Sequence, residues 1–286
     1  MFRTIFKMTR PVNIAIAIIT LVIGYFLIGE LRVTTIVLQS LGFAFAIGFA
    51  NIQNDILDFE SDKLNRPERP LPSGKISMKN AAIAWKSMFA LTLVCGIADF
   101  FASLPREKFP TTLIFFIALD ILLIAYNKKL KHIPLLKNMT VAFLCATPLI
   151  LNIITPPWNN GMGLRFGQIL PAIIFAFFLT TSREIYKDLE DETGDLKAGI
   201  MTFPLIAGAP TARRLAGAII LFTWILLPLP VVQNFYTPVF LYITLVTLTP
   251  CFAAILVSAN KQDYHRAQSV TKIAMFLGLI ALIASR

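Results

Sequence analysis

The sequence predicts an all-α polytopic membrane protein of about nine transmembrane helices, built as one domain with two pseudo-repeated halves. Three observations predict this. The 286 residues are 56% apolar and only 15% charged, a balance found in membrane proteins. The apolar residues fall in blocks close to the roughly 20 residues that cross a hydrocarbon layer. The carboxylates recur in two windows with one shared spacing.

In chain order the blocks are residues 11–29, 34–53, 80–102, 110–126, 137–155, 166–183, 213–231, 238–258 and 267–284. The fifth contains Pro148 and the seventh ends in Pro228 and Pro230. Proline interrupts helical hydrogen bonding, so eight or ten spans stay open at this point. The halves divide near residue 135, as 1–135 and 136–286. Arg3, Lys7 and Arg10 precede the first block in the manner of a secretory signal. The block is long for a signal core and lacks a small-residue cleavage site, so an uncleaved first span is expected.

A net charge of +10 raises the question of nucleic acid. The basic residues form neither a soluble basic domain nor a nucleic-acid motif, so no nucleic-acid partner is expected. They follow topology instead. With nine spans and the N-terminus inside, 21 of the 26 basic residues fall on the inner side, leaving only Arg32, Arg106, Lys108, Arg165 and Arg286 outside. The positive-inside rule thus places the N-terminus and the acidic windows on the cytoplasmic side of the cell membrane. Cys95, Cys145 and Cys251 lie in the blocks without metal-ligand spacing and read as buried thiols.

Eleven of the 16 carboxylates lie in two windows: Asp55, Asp58, Glu60, Asp62 and Glu68, then Glu184, Asp188, Glu190, Asp191, Glu192 and Asp195. Asp55, Asp58 and Asp62 are matched 133 residues later by Asp188, Asp191 and Asp195. Offsets of three, four and seven put each triplet on one helical face over two turns. Asn51 and Asn54 extend the first stripe and Glu184 extends the second. Like charges so spaced repel, the more so beside lipid, and call for a cation. Short Asp side chains suit a hard cation such as Mg²⁺, which takes one or two carboxylates and completes its shell with phosphate oxygens and water. Two such stripes facing each other would hold a metal-diphosphate complex. Lys63, Arg66, Arg69, Lys75, Lys128, Lys129, Lys131, Lys187 and Lys197 lie around them, and some are expected to meet phosphate oxygens.

The run from Asn54 to Asp62, continued by Asn65-Arg66-Pro67-Glu68-Arg69-Pro70-Leu71-Pro72-Ser73-Gly74, resembles the first signature of the UbiA-type membrane prenyltransferases. The run from Arg183 to Asp195, followed by Thr202-Phe203-Pro204, resembles the second. The resemblance implies helices around a central cavity open toward lipid, and Mg²⁺-dependent transfer of a prenyl group from an allylic diphosphate to a lipophilic acceptor. It implies metal centres at Asn54, Asp58 and Asp62 and at Asp188, Asp191 and Asp195, with all these aspartates and Lys187 catalytic. Arg66, Lys131 and Lys187 would hold the diphosphate, and Tyr126 would border the same cavity. Glu184 stands where many members acting on aromatic acceptors carry Tyr. The run Arg-Glu-x-x-Lys-Asp-x-Glu-Asp looks instead like the branch that alkylates a prenylglyceryl phosphate, with geranylgeranyl as the expected donor chain, in ether-lipid synthesis. An aromatic quinone or pigment precursor is the second acceptor class.

Departure of a diphosphate builds negative charge on oxygen and positive charge on the prenyl carbon, so both need stabilising. Phe43, Phe45, Phe49, Phe175, Phe177 and Phe178 lead into the two motifs as candidate cation-facing rings. Asp188 or Glu184 is the candidate base for the acceptor proton, while His132 and His265 read as surface residues. Intramembrane carboxylates and an internal repeat also describe a transporter. A phosphotransferase of the CDP-alcohol type needs Gly and Ala-Arg between its aspartates, which neither window has. No obligate protein partner is implied.

Overall fold

The computed structural model describes residues 1–30, 32–104, 109–155, 162–197 and 199–286. Arg106 and Lys108, expected on the outer side, lie outside the described residues. The helices in chain order are α1 (Phe2–Met8), α2 (Pro11–Ile28), α3 (Val33–Leu57), α4 (Phe59–Asn65), α5 (Met78–Ser103), α6 (Thr111–Lys128) and α7 (Leu136–Ile154). They continue as α8 (Met162–Glu190), α9 (Glu192–Lys197), α10 (Phe203–Ala207), α11 (Ala209–Leu226), α12 (Leu229–Val232), α13 (Pro238–Asn260) and α14 (Tyr264–Ala281). Among the described residues there is no strand, and nine helical stretches are long and apolar enough to cross a membrane. This is the expected count, because helices satisfy their own backbone in lipid.

The second and sixth spans run further than the apolar blocks suggest, to Leu57 and Glu190. Both motifs therefore begin inside a membrane helix. Pro148 does not break α7. Proline denies a hydrogen bond to the carbonyl four residues earlier. That carbonyl, on Leu144, accepts instead from Thr147 Oγ1 at 2.7 Å. The seventh span does break, between α11 and α12, where Pro228 and Pro230 stand.

The chain forms two compact units. The first comprises residues 1–22, 31–129 and 154–159; the second comprises 23–30, 130–153 and 160–286. In the first, α3 packs on α5 and α6. Lipid tails are as apolar as Leu, so close backbone approach and polar contacts, rather than water exclusion, hold such helices together. At Gly96 an added Cβ would stand 2.7 Å from the Leu113 backbone, and at Gly42 it would overlap the Phe116 ring. A buried network supplies the polar part: Gln39 Nε2 donates to Asp99 Oδ2 at 3.1 Å, and Thr112 Oγ1 donates to the same oxygen at 2.6 Å.

In the second unit α8, α11, α13 and α14 form one core with Tyr186, Ile220, Phe252 and Ile255 fully buried. Ala212 and Ala216, four apart on α11, and Ala267 and Ala274 on α14 are also fully buried, the small-residue pattern that lets membrane helices touch. Phe43 and Phe49 are buried packing residues, edge-on to Phe116 and Phe89 respectively, so these two belong to the helix interfaces. Of the cysteines only Cys95 is buried; Cys251 is half-buried and Cys145 exposed.

Candidate active site

The first acidic set lies where α3 gives way to α4. Asn54 Nδ2 donates to Asp58 Oδ2 at 2.9 Å. Asp58 is the residue between the two helices, with φ −89° and ψ 7°. The stripe is therefore not one unbroken helical face, as the offsets implied. It survives because the i to i−4 backbone bonds continue through the joint: Asp58 N to Asn54 O at 2.9 Å and Asp62 N to Asp58 O at 2.8 Å.

Asp62 and Asp55 are buried, at 5% and 8% exposure. Buried carboxylates need partners, and both share Arg69. One guanidinium nitrogen lies 2.6 Å from Asp62 Oδ2 and 3.5 Å from Asp55 Oδ1, with Arg10 also 3.5 Å from the latter. The cause is local. Prolines 67, 70 and 72 forbid a continued helix, and the chain folds back through Arg69 N to Arg66 O and Ser73 N to Arg69 O bonds. Leu71 and Ile76 then anchor the loop in a cluster with Met8, Ile52 and Ala81. Arg66 itself is exposed. Lys63 is held by Glu60 at 3.0 Å and by the Phe59 ring. Tyr126 is half-buried near the end of α6. Its neighbour Asn127 ties that end to α3, donating to Ala50 O at 2.8 Å and Gln53 Oε1 at 3.0 Å.

The second set repeats the joint. α8 ends at Glu190 and α9 begins at Glu192, so Asp191 is the linking residue, 133 positions after Asp58. Again the backbone bonds carry through, Asp191 N to Lys187 O and Asp195 N to Asp191 O, both at 2.9 Å. Asp188 is 4% exposed and held on both oxygens from α7: Lys137 Nζ lies 2.8 Å from Oδ1, and Asn138 Nδ2 donates to Oδ2 at 2.9 Å. Glu184, at 9% exposure, accepts from Arg183. Asp191 and Lys187 are exposed, and Lys131 sits half-buried in a single turn, Leu130–His132. Burial pushes the Asp195 carboxyl above the usual carboxylate range; Lys137 opposes this, Asp188 and Asp191 add to it, and Lys187 opposes it. The three aspartates of this set thus lie within electrostatic range of one another.

Among the described residues no three His, Cys, Asp or Glu side chains converge around one point. Asp55, Asp62 and Asp188 are paired with Arg10, Arg69 and Lys137 instead. The residues nonetheless suit Mg²⁺: their donors are hard oxygens, and two carboxylates suffice when phosphate oxygens and water complete the shell. Buried oxygens without a hydrogen bond stand at both sets, Asp55 Oδ1 and Asn138 Oδ1, the latter beside Asp188. In the sequence Arg69 is one of several flanking cations, Lys137 is one of the 21 basic residues on the inner side, and Asn138 carries no signal in an apolar block.

Buried aspartates matched with Arg and Lys at the ends of membrane-length helices define an integral membrane protein with two charged sites at its helix ends. The model of the UbiA prenyltransferase family matches residues 17–280. A digeranylgeranylglyceryl phosphate synthase from Methanobrevibacter smithii is 32% identical over 97% of this chain and 95% of its own. One from Methanosphaera stadtmanae is 33% identical over 96% of each. A solved digeranylgeranylglyceryl phosphate synthase shares 25% identity and a TM-score of 0.78 over 99% of this chain and 98% of its own. A UbiA homolog from Archaeoglobus fulgidus, bound to GPP and Mg²⁺, has the same fold, with a TM-score of 0.66 at 18% identity over 98% of this chain and 99% of its own. The chain belongs to the UbiA prenyltransferase family. It is a prenyltransferase that releases diphosphate, and the transporter reading falls.

Proposed function

We propose that the enzyme transfers a geranylgeranyl group from its allylic diphosphate to the hydroxyl of a prenylglyceryl phosphate, with Mg²⁺, on the cytoplasmic side of the cell membrane. The observation that carries this reading is the full-length identity of about a third with digeranylgeranylglyceryl phosphate synthases, reinforced by Glu184 in the second motif.

Asn54, Asp58 and Asp62 in the first unit, and Asp188, Asp191 and Asp195 in the second, would hold Mg²⁺. Bound there, Mg²⁺ would supply Lewis-acid neutralisation of the charge on the departing diphosphate oxygens. Arg66, Lys131 and Lys187 add cationic contacts to those oxygens, Arg through its planar fork and Lys as a point charge. Tyr126 is assigned to diphosphate binding by the same family resemblance. The exposure of Arg66 and Lys187 suits a role toward ligand rather than toward the fold.

The bond from the allylic carbon to diphosphate oxygen breaks, an ether bond to the acceptor oxygen forms, and the hydroxyl proton passes to a base. Of the two candidates Glu184 fits better. Asp188 has both oxygens engaged by Lys137 and Asn138, and a base needs a lone pair within reach of the proton. The test is to incubate purified enzyme with Mg²⁺, prenyl diphosphates of several lengths and a panel of glyceryl phosphate and aromatic acceptors, and to identify products by mass. A geranylgeranylated glyceryl phosphate is expected. Products on aromatic acceptors alone would reject this reading.

A further inference from the structure

A second stripe runs along α8 beside the acidic one. Arg183, Lys187 and Glu190, at offsets of four and seven, share a face, and His265, Gln268 and Lys272 share a face of α14. The two faces meet. Glu190 Oε1 lies 2.7 Å from His265 Nδ1, and Gln268 Nε2 donates to Glu190 Oε2 at 3.1 Å. As successive spans alternate in direction, the sixth and ninth are antiparallel. Seven residues along each helix, about 10 Å of rise, bring Arg183 opposite Lys272, with Lys187 between. The charges acting on Lys272 agree with this register: Arg183, Glu190, Lys187 and Glu184.

The cluster is short of anions. Both oxygens of Glu190 are used by His265 and Gln268, and Glu184 already accepts from Arg183. Lys187 and Lys272 have no carboxylate within ion-pair distance among the described residues. The face also keeps unmet hydrogen-bonding capacity of both kinds. Arg183 Nε is a buried donor without an acceptor, and Gln268 Oε1, on a side chain 7% exposed, is a buried acceptor without a donor.

We propose that Arg183 and Lys272, with Gln268, form the subsite for the phosphate monoester of the acceptor, with Lys187 standing between it and the departing diphosphate. This rests on the glyceryl phosphate reading above. In any prenylglyceryl phosphate the free hydroxyl lies no more than two carbons from the phosphate ester. A base for that hydroxyl must stand beside the phosphate subsite, and Glu184 adjoins Arg183 in sequence and is hydrogen-bonded by it. Phosphate supplies acceptors for Arg183 and Lys272, and the P–OH of the monoester in its monoanionic form supplies a donor for Gln268.

Steady-state kinetics of the full-length enzyme in detergent or nanodiscs tests this, using geranylgeranylglyceryl phosphate and its dephosphorylated ether alcohol as acceptors. Lys272→Gln and Arg183→Gln should each raise KM for the phosphorylated acceptor about tenfold, the loss of one charge-assisted hydrogen bond. KM for the prenyl diphosphate should stay unchanged, Lys272→Arg should recover most of the loss, and Lys272→Gln, which does not touch the base, should match wild type on the alcohol. Without any variant, wild type should prefer the phosphorylated acceptor by about a hundredfold in kcat/KM. An unchanged acceptor KM, a rise confined to the diphosphate KM, or equal use of both acceptors by wild type would overturn the subsite while leaving the proposed activity standing. Failure of wild type to use any glyceryl phosphate would overturn the activity itself.

Discussion

The clamp on Asp188 gives a prediction whose size follows from the geometry. Lys137 Nζ lies 2.8 Å from Asp188 Oδ1, with side-chain exposures of 18% and 6%. At that separation and an effective dielectric of about 20, Coulomb's law gives about 6 kcal/mol of attraction. Desolvating the two ions returns several kcal/mol, leaving a net coupling of about 2 kcal/mol, within the range measured for contacting residues. Lys137→Met removes the cation but leaves a buried carboxylate, so it should destabilise the protein by about 3 kcal/mol. Asp188→Asn keeps shape and a hydrogen bond to Asn138, and Lys137→Met/Asp188→Asn together should be more stable than Lys137→Met alone. The assay is denaturant unfolding of the purified protein in detergent across the full double-mutant cycle, without Mg²⁺. Additive effects of the two substitutions would refute the reasoning, because no coupling would then exist to measure. Repeating the cycle with Mg²⁺ and pyrophosphate should shrink the Lys137→Met deficit, as a second cation meets Asp188.

Three further expectations use other parts of the chain. Arg69→Gln should cost about 3 kcal/mol of stability by stranding Asp62 and leaving Asp55 with Arg10 alone, whereas Arg66→Gln should leave unfolding unchanged and raise KM for the prenyl diphosphate; equal unfolding curves for the two variants would contradict the assignment. Chelation of divalent metal should abolish transfer and Mg²⁺ should restore it, and prenylated product formed at full rate in excess chelator would contradict metal dependence. Asp120 is 1% exposed on α6, and neither carboxylate oxygen has a hydrogen-bond partner among the described residues. Replacing it with Leu, of similar length, should stabilise the protein by about 1–3 kcal/mol; a lower unfolding midpoint would reveal a partner for the carboxyl.

The motifs show how far linear reasoning reaches. Asp58 and Asp191 were legible as members of a stripe, since a helical offset is a property of one segment. That each is a joint between two helices was not, because Phe59 to Asn65 carries no apolar block or helix breaker, and the one breaker in Glu192 to Lys197, Gly194, lies inside the second helix rather than at the joint. Phe43 and Phe49 stood as candidates for facing the prenyl cation because they precede a motif. Burial against Phe116 and Phe89 gives them to helix packing instead.

Taken alone, the sequence determined the span count to within one and the doubled acidic pattern, because both depend on local physics. A run of about 20 apolar residues is driven into lipid wherever it sits in the chain, and a spacing of three and four residues aligns side chains in any helix. Only the tertiary structure decided which cations meet those carboxylates. Arg69 rather than Arg66 reaches Asp62, three prolines having folded the loop back. Lys137 and Asn138 reach Asp188 from a helix about 50 residues away in the chain. Periodicity states which face of a helix a residue occupies; the packing of a second helix decides what that face meets.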